Sequence, residues 1–87
     1  MQYKIDSPKE EKDTTVPEYI QTAAEHISSA LRYEADEDIE QSLASYRAAI
    51  GGLLVHVQSD PDTVRQAQVK RRIAQYISKA EQLGKVF

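Results

Sequence analysis

Residues 38–57 read DIEQSLASYRAAIGGLLVHV. Large apolar side chains recur at Ile39, Leu43, Tyr46, Ile50, Leu53 and Val57. At 100° per residue they fall within an arc of about 80°, which predicts one helix with a narrow core-facing seam. Asp38, with Gln41 three residues on, is placed to cap its start. Gly51 and Gly52 sit mid-segment, and each disfavours helix by about 1 kcal/mol relative to alanine. The apolar phase runs through them to Val57, so the segment reads as unbroken. A helix with one apolar seam needs partners, and the sequence on either side supplies two.

Upstream, Thr15-Val16-Pro17-Glu18 fits a helix start, with Thr15 as the cap and proline in the first turn. Ile20, Ala24, Ile27 and Leu31 then form one stripe, with Ala23 and Ala30 beside it. The stripe ends in the acidic run Glu34 to Asp38, which has no apolar anchor. Downstream, Ser59-Asp60-Pro61-Asp62 is a stop and a restart. Asp60 is expected to cap, Pro61 to take the first helical position, and Asp62 to favour the positive end of the helix dipole. Val69, Ile73, Tyr76, Ala80 and Leu83 make a third seam, and Gly84 is expected to end it. No segment alternates with period two. Three helices joined by short turns form an all-α, antiparallel up-down-up three-helix bundle. Residues 15–87 are assigned to it. Residues 1–14, with only Tyr3 and Ile5 as large apolar side chains past Met1, read as a flexible tail or linker, or as a segment whose Tyr3 and Ile5 dock elsewhere.

Composition narrows the function classes. Eighty-seven residues suit one domain, and a net charge of −3 argues against nucleic acid as the main partner. With no cysteine and only His26 and His56, the chain offers no metal site. No apolar run reaches the roughly 20 residues of a membrane span, and no signal-like stretch opens the chain, so a cytoplasmic setting is expected. Nothing points to catalysis or a cofactor. Gly51-Gly52 lacks the lysine and hydroxyl of a phosphate loop, and the clustered carboxylates lie in a solvated turn.

The informative residues are those left over once the seams are filled. On the third helix Ala74 and Ile77 lie to one side of the seam, sharing that flank with Lys70 and Glu81. On the second, Ala44, Ala48, Gly51 and Val55 form a stripe of small residues, which either packs on a neighbouring helix or lets a partner helix approach closely. A shallow apolar trough with charged rims suits an amphipathic helix. On the first helix Tyr19, His26 and Tyr33 repeat every seven residues, either as a second contact surface or as an edge with its hydroxyls in water. Arg65, Arg72 and Lys79, with Lys70 and Arg71, make a basic concentration. It is either a solvated face paired with the acidic turn or a contact for anionic lipid or acidic peptide.

Three segments carry a family resemblance: A-x-x-x-I-S-x-A-L-x-Y-E (Ala23 to Glu34), D-I-E-x-S-L-x-x-Y-x-x-A-I (Asp38 to Ile50) and R-R-I-A-Q-Y-I-S-K-A-E-Q-L (Arg71 to Leu83). The region from about Ile20 to Leu83 resembles the MIT (microtubule-interacting and trafficking) domain. Its Gly-Gly-Leu-Leu and V-Q-S-D-P runs look most like the branch found in sorting nexins and PX-domain, kinase-like proteins. The resemblance implies a monomeric adaptor that binds ESCRT-III tail peptides and recruits its parent protein to endosomes. One motif class would dock as a helix between the second and third helices, another more extended between the first and third. Ile77 matches the family's apolar pocket residue and Glu81 its carboxylate, whereas Ser78 departs from a common acidic residue, and Gly51-Gly52 replace bulkier ones. An intramolecular or self-association module is the alternative reading.

Overall fold

Two short turns set the topology. A computed structural model describes residues 16–86, and over these the chain forms α1 (Glu18–Ala35), α2 (Ile39–Val57) and α3 (Thr63–Val86). The expected tail, residues 1–14, and Thr15 lie outside the described residues. The residue before α1 is Pro17, whose carbonyl accepts from Ile20 (3.0 Å) and Gln21 (3.1 Å); among the described residues no side chain caps this end. Proline thus precedes the helix and does not begin it.

The α1 exit is a closed double hydrogen-bonded turn. Asp38 N–H donates to the Tyr33 carbonyl (2.8 Å) and Glu37 N–H to the Glu34 carbonyl (3.0 Å). Such a turn needs a left-handed residue, and Glu37 takes that role at φ 62°. A glutamate there carries a steric penalty that glycine avoids. Glu37→Gly is therefore expected to stabilise the domain by about 0.5–1 kcal/mol, read from the midpoint of urea unfolding. Asp38 then caps α2 as expected, its Oδ1 accepting from Gln41 N–H at 3.2 Å.

At the second turn the roles of the two aspartates differ from expectation. Asp62 caps α3: its Oδ1 accepts from Arg65 N–H (3.1 Å) and its carbonyl from Gln66 N–H (2.9 Å). Pro61 lies before the helix. Asp60 turns inward and is almost fully buried. Gly84 does not end α3, which runs to Val86 with no positive φ at that glycine. The paired glycines leave α2 continuous.

The core has two joined layers. Ala23, Ala49, Leu53, Val57, Val69 and Ile73 form one. Ala30, Leu43, Tyr46 and Leu83 form the other, and Ile27 and Tyr76 pack on both. The seams of α2 and α3 are those expected. The α1 seam is rotated: Ala23 and Ala30 are buried, whereas Ala24 is exposed and Leu31 is 54% exposed. The reason lies in how tightly α1 meets α2. Ala23, Ala30, Ser42 and Ala49 are all buried, and Ser42 Oγ donates to the Ala30 carbonyl at 2.8 Å. Small residues at the crossing let two backbones approach, and the larger α1 residues are displaced toward α3. By contrast, no Cα of α1 comes within 8 Å of a Cα of α3.

Candidate functional site

A three-helix sheet of this kind has grooves where its helices fail to touch closely. α3 borders two of them.

The α2/α3 groove is built from flanks left over beside the core. On α3, Ile77 is one turn beyond buried Ile73 and remains 38% exposed. Lys70 and Glu81 are exposed on the same flank, before and after it. On α2, Leu54 is one turn beyond half-buried Ile50 and remains 47% exposed. Arg47 lies two turns before Leu54 on that face and is also exposed. Leu54 and Arg47 were missed in the sequence reading. The signal was present, since Leu53-Leu54 cannot both point at one core.

Other expected groove residues sit elsewhere. Ala48 lines a depression against α1 with Glu18, Tyr19, Thr22, Ala23, His26, Ala49, Gly52 and His56. Ala44 and Val55 are exposed on the face of α2 opposite its seam, and Val55 is 70% exposed. Gly51 is exposed as well, and a Cβ added there would meet nothing within 4 Å. The stripe therefore packs on no neighbouring helix. A four-three-four spacing keeps the stripe within an arc of about 60°, but that arc lies on the side of α2 away from its core seam, so it does not wall the α2/α3 groove. Ala74 and Ser78 line an open hollow on the outer face of α3, with Arg71, Gln75, Lys79 and Gln82.

The α1/α3 groove is wider, as the separation of those helices requires. Its floor is apolar: Ile20, Ala23, Ala24, Leu53, Val69 and Tyr76, with Arg72 at the wall. It opens at the start of α1 into a hollow of about 600 Å³ between Val16, Pro17, Ile20, Arg65, Gln68, Val69, Arg71 and Arg72.

Side-chain bonds span this groove at both ends. Lys79 Nζ lies 2.9 Å from Glu34 at one end. At the other, Asp60 accepts from the Tyr19 hydroxyl (2.7 Å), from Arg65 Nε and Nη2 (2.7 Å each) and from Asp62 N–H (2.9 Å). The Arg65 and Tyr19 hydrogen bonds hold the Asp60 carboxyl well below the usual carboxylate range, against the opposing effect of burial. Burial, reinforced by the neighbouring Asp60 carboxylate, pushes the Tyr19 hydroxyl up to about 12. Two members of the basic concentration, Arg65 and Lys79, are thus engaged within the fold, whereas Lys70, Arg71 and Arg72 are exposed. Arg65 also meets Asp62 at 3.5 Å, and of the three cations expected on one face only Arg72 forms no ion pair with a described residue.

The Tyr19, His26 and Tyr33 line faces α2. Tyr19 stacks on His56 with ring centroids 5.8 Å apart, and its hydroxyl is bound to Asp60, not left to water. His26 is half-buried in the α1/α2 depression. Tyr33 is half-buried, with the Arg32 guanidinium 5.8 Å over its ring. Among the described residues no group of histidines and carboxylates could hold a metal ion, and no helix is long and apolar enough to cross a membrane.

This architecture agrees with comparison to known proteins. The family model for the MIT (microtubule interacting and transport) domain matches residues 20–85. Human sorting nexin-15 is 39% identical over 67 residues, 77% of this chain and 20% of that protein. Human ribosomal protein S6 kinase delta-1 is 34% identical over 70 residues, 80% of this chain and 7% of that protein. Mouse ribosomal protein S6 kinase-like 1 is 34% identical over 71 residues, 82% of this chain and 13% of that protein. The chain therefore spans a fifth or less of these relatives. With three helices, flanking grooves and a family match across nearly all the described residues, it belongs to the MIT family, a protein-interaction domain of trafficking proteins.

Proposed function

We propose that this domain captures the tail segments of ESCRT-III proteins, as an amphipathic helix laid between α2 and α3, and so recruits its parent protein to endosomal membranes from the cytoplasm. The observation that carries this reading is the pair Ile77 and Leu54. Both are large aliphatic residues, exposed by 38% and 47%, and each lies beside the core seam of its own helix. Water-exposed aliphatics aligned along a trough favour burial by an apolar helix face. Around them the charges are ordered along α3: Lys70 precedes Ile77 and Glu81 follows it. A partner helix with an acidic residue near one end and a basic one near the other would satisfy both. Ser78 lies on the outer face of α3, so the lack of a carboxylate there leaves the apolar contact at Ile77 unaffected.

The surface offered is small, and affinity is expected to be on the order of micromolar. The test is titration of a panel of ESCRT-III tail peptides against the labelled domain. Ile77→Asp is expected to weaken the best peptide at least tenfold, because an ionised carboxylate would be desolvated at the contact. The helical circular dichroism signal should be unchanged, since Ile77 lies outside the core clusters. Peptide-induced shifts confined to residues far from Ile77, Leu54 and Glu81 would sink the assignment of this groove.

A further inference from the structure

Charge is unevenly distributed along α3. From Thr63 to Ala80 it holds five cations, Arg65, Lys70, Arg71, Arg72 and Lys79, and no carboxylate, in a chain of net charge −3. Arg65 is turned to Asp60 and Lys79 to Glu34, and Lys70 stands on the flank shared with Ile77. Arg71 and Arg72 are exposed and form no ion pair with a described residue.

Arg71 belongs to a stripe that the bundle does not use. At 100° per residue, Val64, Gln68, Arg71, Gln75, Ser78 and Gln82 project within about 40° of the direction opposite buried Ile73. All six are exposed. The stripe rises about 27 Å along the helix. Every polar side chain on it can donate a hydrogen bond, and none is a carboxylate. Toward α1 the stripe passes through Arg72 into the hollow that Val16 and Pro17 help to wall. Two valines flank the arginines and are open to water, Val64 by 67% and Val16 by 49%.

Sign, shape and the valines decide the kind of partner. Cations and donors without acids select an anion. The outer face of a helix is convex, and the hollow between Arg71 and Lys79 is open, so the donors are spread along the helix and do not converge on one phosphate. Such a face suits an array of anions. A soluble anion gains nothing from exposed valines. At a lipid surface they enter the boundary between headgroups and acyl chains while arginines stay with the phosphates.

We propose that the outer face of α3 rests on the anionic leaflet of a membrane, with Arg71 and Arg72 on lipid phosphates and Val64 and Val16 at the acyl boundary. Each arginine at such a surface favours binding by about fivefold, so the two together give about 25-fold over a neutral face. The contact is weak alone and takes effect once the parent protein is held at the membrane, where the local lipid concentration is high. Ile77 projects about 120° away from Arg71 around α3, so the α2/α3 groove stays open while the domain lies on lipid.

The test is sedimentation of the full chain with vesicles of phosphatidylcholine containing about one-third phosphatidylserine, against phosphatidylcholine alone. Binding is expected with the anionic vesicles only, and is expected to fall as salt is added. Arg71→Gln with Arg72→Gln should weaken it about 25-fold. Arg47→Gln with Lys70→Gln, the same change in net charge on the other flank, should weaken it less than about threefold. All four side chains are exposed, so the helical circular dichroism signal should match the parent chain in both variants. With a nitroxide on the lipid headgroup, the amide signals of Val64, Gln68 and Arg71 should lose more intensity than those of Ala44 and Val55. Equal sedimentation with both kinds of vesicle, or equal losses from the two double variants, would overturn the proposal. So would saturable shifts at Arg71 and Arg72 on adding oligoglutamate without any vesicle binding, since the face would then belong to an acidic protein segment. None of these readouts involves an ESCRT-III peptide, so their failure leaves the α2/α3 reading untouched.

Discussion

Leu53→Ala is expected to destabilise the domain by about 2–4 kcal/mol, within the usual range for truncating a buried leucine. Leu53 is 3% exposed and belongs to the same cluster as Ala23, Val57, Val69 and Ile73. It projects from α2 into the space between α1 and α3, where it meets Ile20, Ala24 and Tyr76 at the floor of their groove. Those two helices do not touch through their backbones. Removing the isobutyl group opens a void that α1 and α3 cannot close without losing their fixed spacing. A residue held by two neighbours could be compensated by one of them shifting. Leu53 is held by three elements at once. For a domain of this length the loss corresponds to a melting temperature lower by about 10–25 °C. Urea unfolding followed by circular dichroism should show a lower midpoint with an unchanged slope. A slope that falls as well would mean that α3 has detached in the folded state.

Asp60 carries the second large effect. Asp60→Ala removes one buried carboxylate and strands two partners, the Arg65 guanidinium and the Tyr19 hydroxyl, both within 2.7 Å of it. Breaking such a cluster by deleting one member is much worse than never having built it. The melting temperature is expected to fall by about 10 °C or more. Asp60 also gives the domain a defined pH response. Its folded carboxyl titrates well below the unfolded value of about 3.9. Below that value the unfolded chain takes up a proton that the folded chain refuses. Stability should therefore be complete above about pH 4 and fall as the pH drops toward the folded value. Tyr19 acts at the other end. Its hydroxyl is pushed up to about 12 in the folded state, from 10.0. Stability linked to it is complete below pH 10 and declines as pH rises through about 12. Asp60→Asn should flatten the acid limb, and Tyr19→Phe the alkaline one, in melting temperatures recorded across pH. An acid limb unchanged in Asp60→Asn would show that other carboxylates govern it.

These residues also mark where sequence reading was sufficient and where it was not. The α2 seam, its cap at Asp38 and its passage through Gly51-Gly52 were legible because each follows from spacing within one helix. The acidic turn was legible for the same reason, although nothing local announced that Glu37 would take φ 62°. Asp60 was misread because Asp-Pro-Asp offers two caps. The choice between them is made by Tyr19, 41 residues away, which draws the first aspartate inward. The α1 seam was misplaced because apolar size was weighed over closeness of approach. Alanines at 23 and 30 occupy the core only because Ser42 and Ala49 meet them from α2. At the groove, Ile77, Lys70 and Glu81 were legible as leftovers beside a seam. Arg47 and Leu54 emerged only once α2 and α3 were set side by side.

The serine hydroxyl that ties α2 to the Ala30 carbonyl has a dynamic consequence. It joins α1 and α2 into a hairpin whose backbones are in close contact, while α3 packs its core seam on α2 and meets α1 through side chains alone. Partial opening should then follow this division, with α3 lifting before the hairpin frays. Amide hydrogen exchange would register it as earlier loss of protection in α3 than at the α1/α2 crossing. A partner helix bound between α2 and α3 would slow that exchange, clamping the layer that the apo domain holds most lightly.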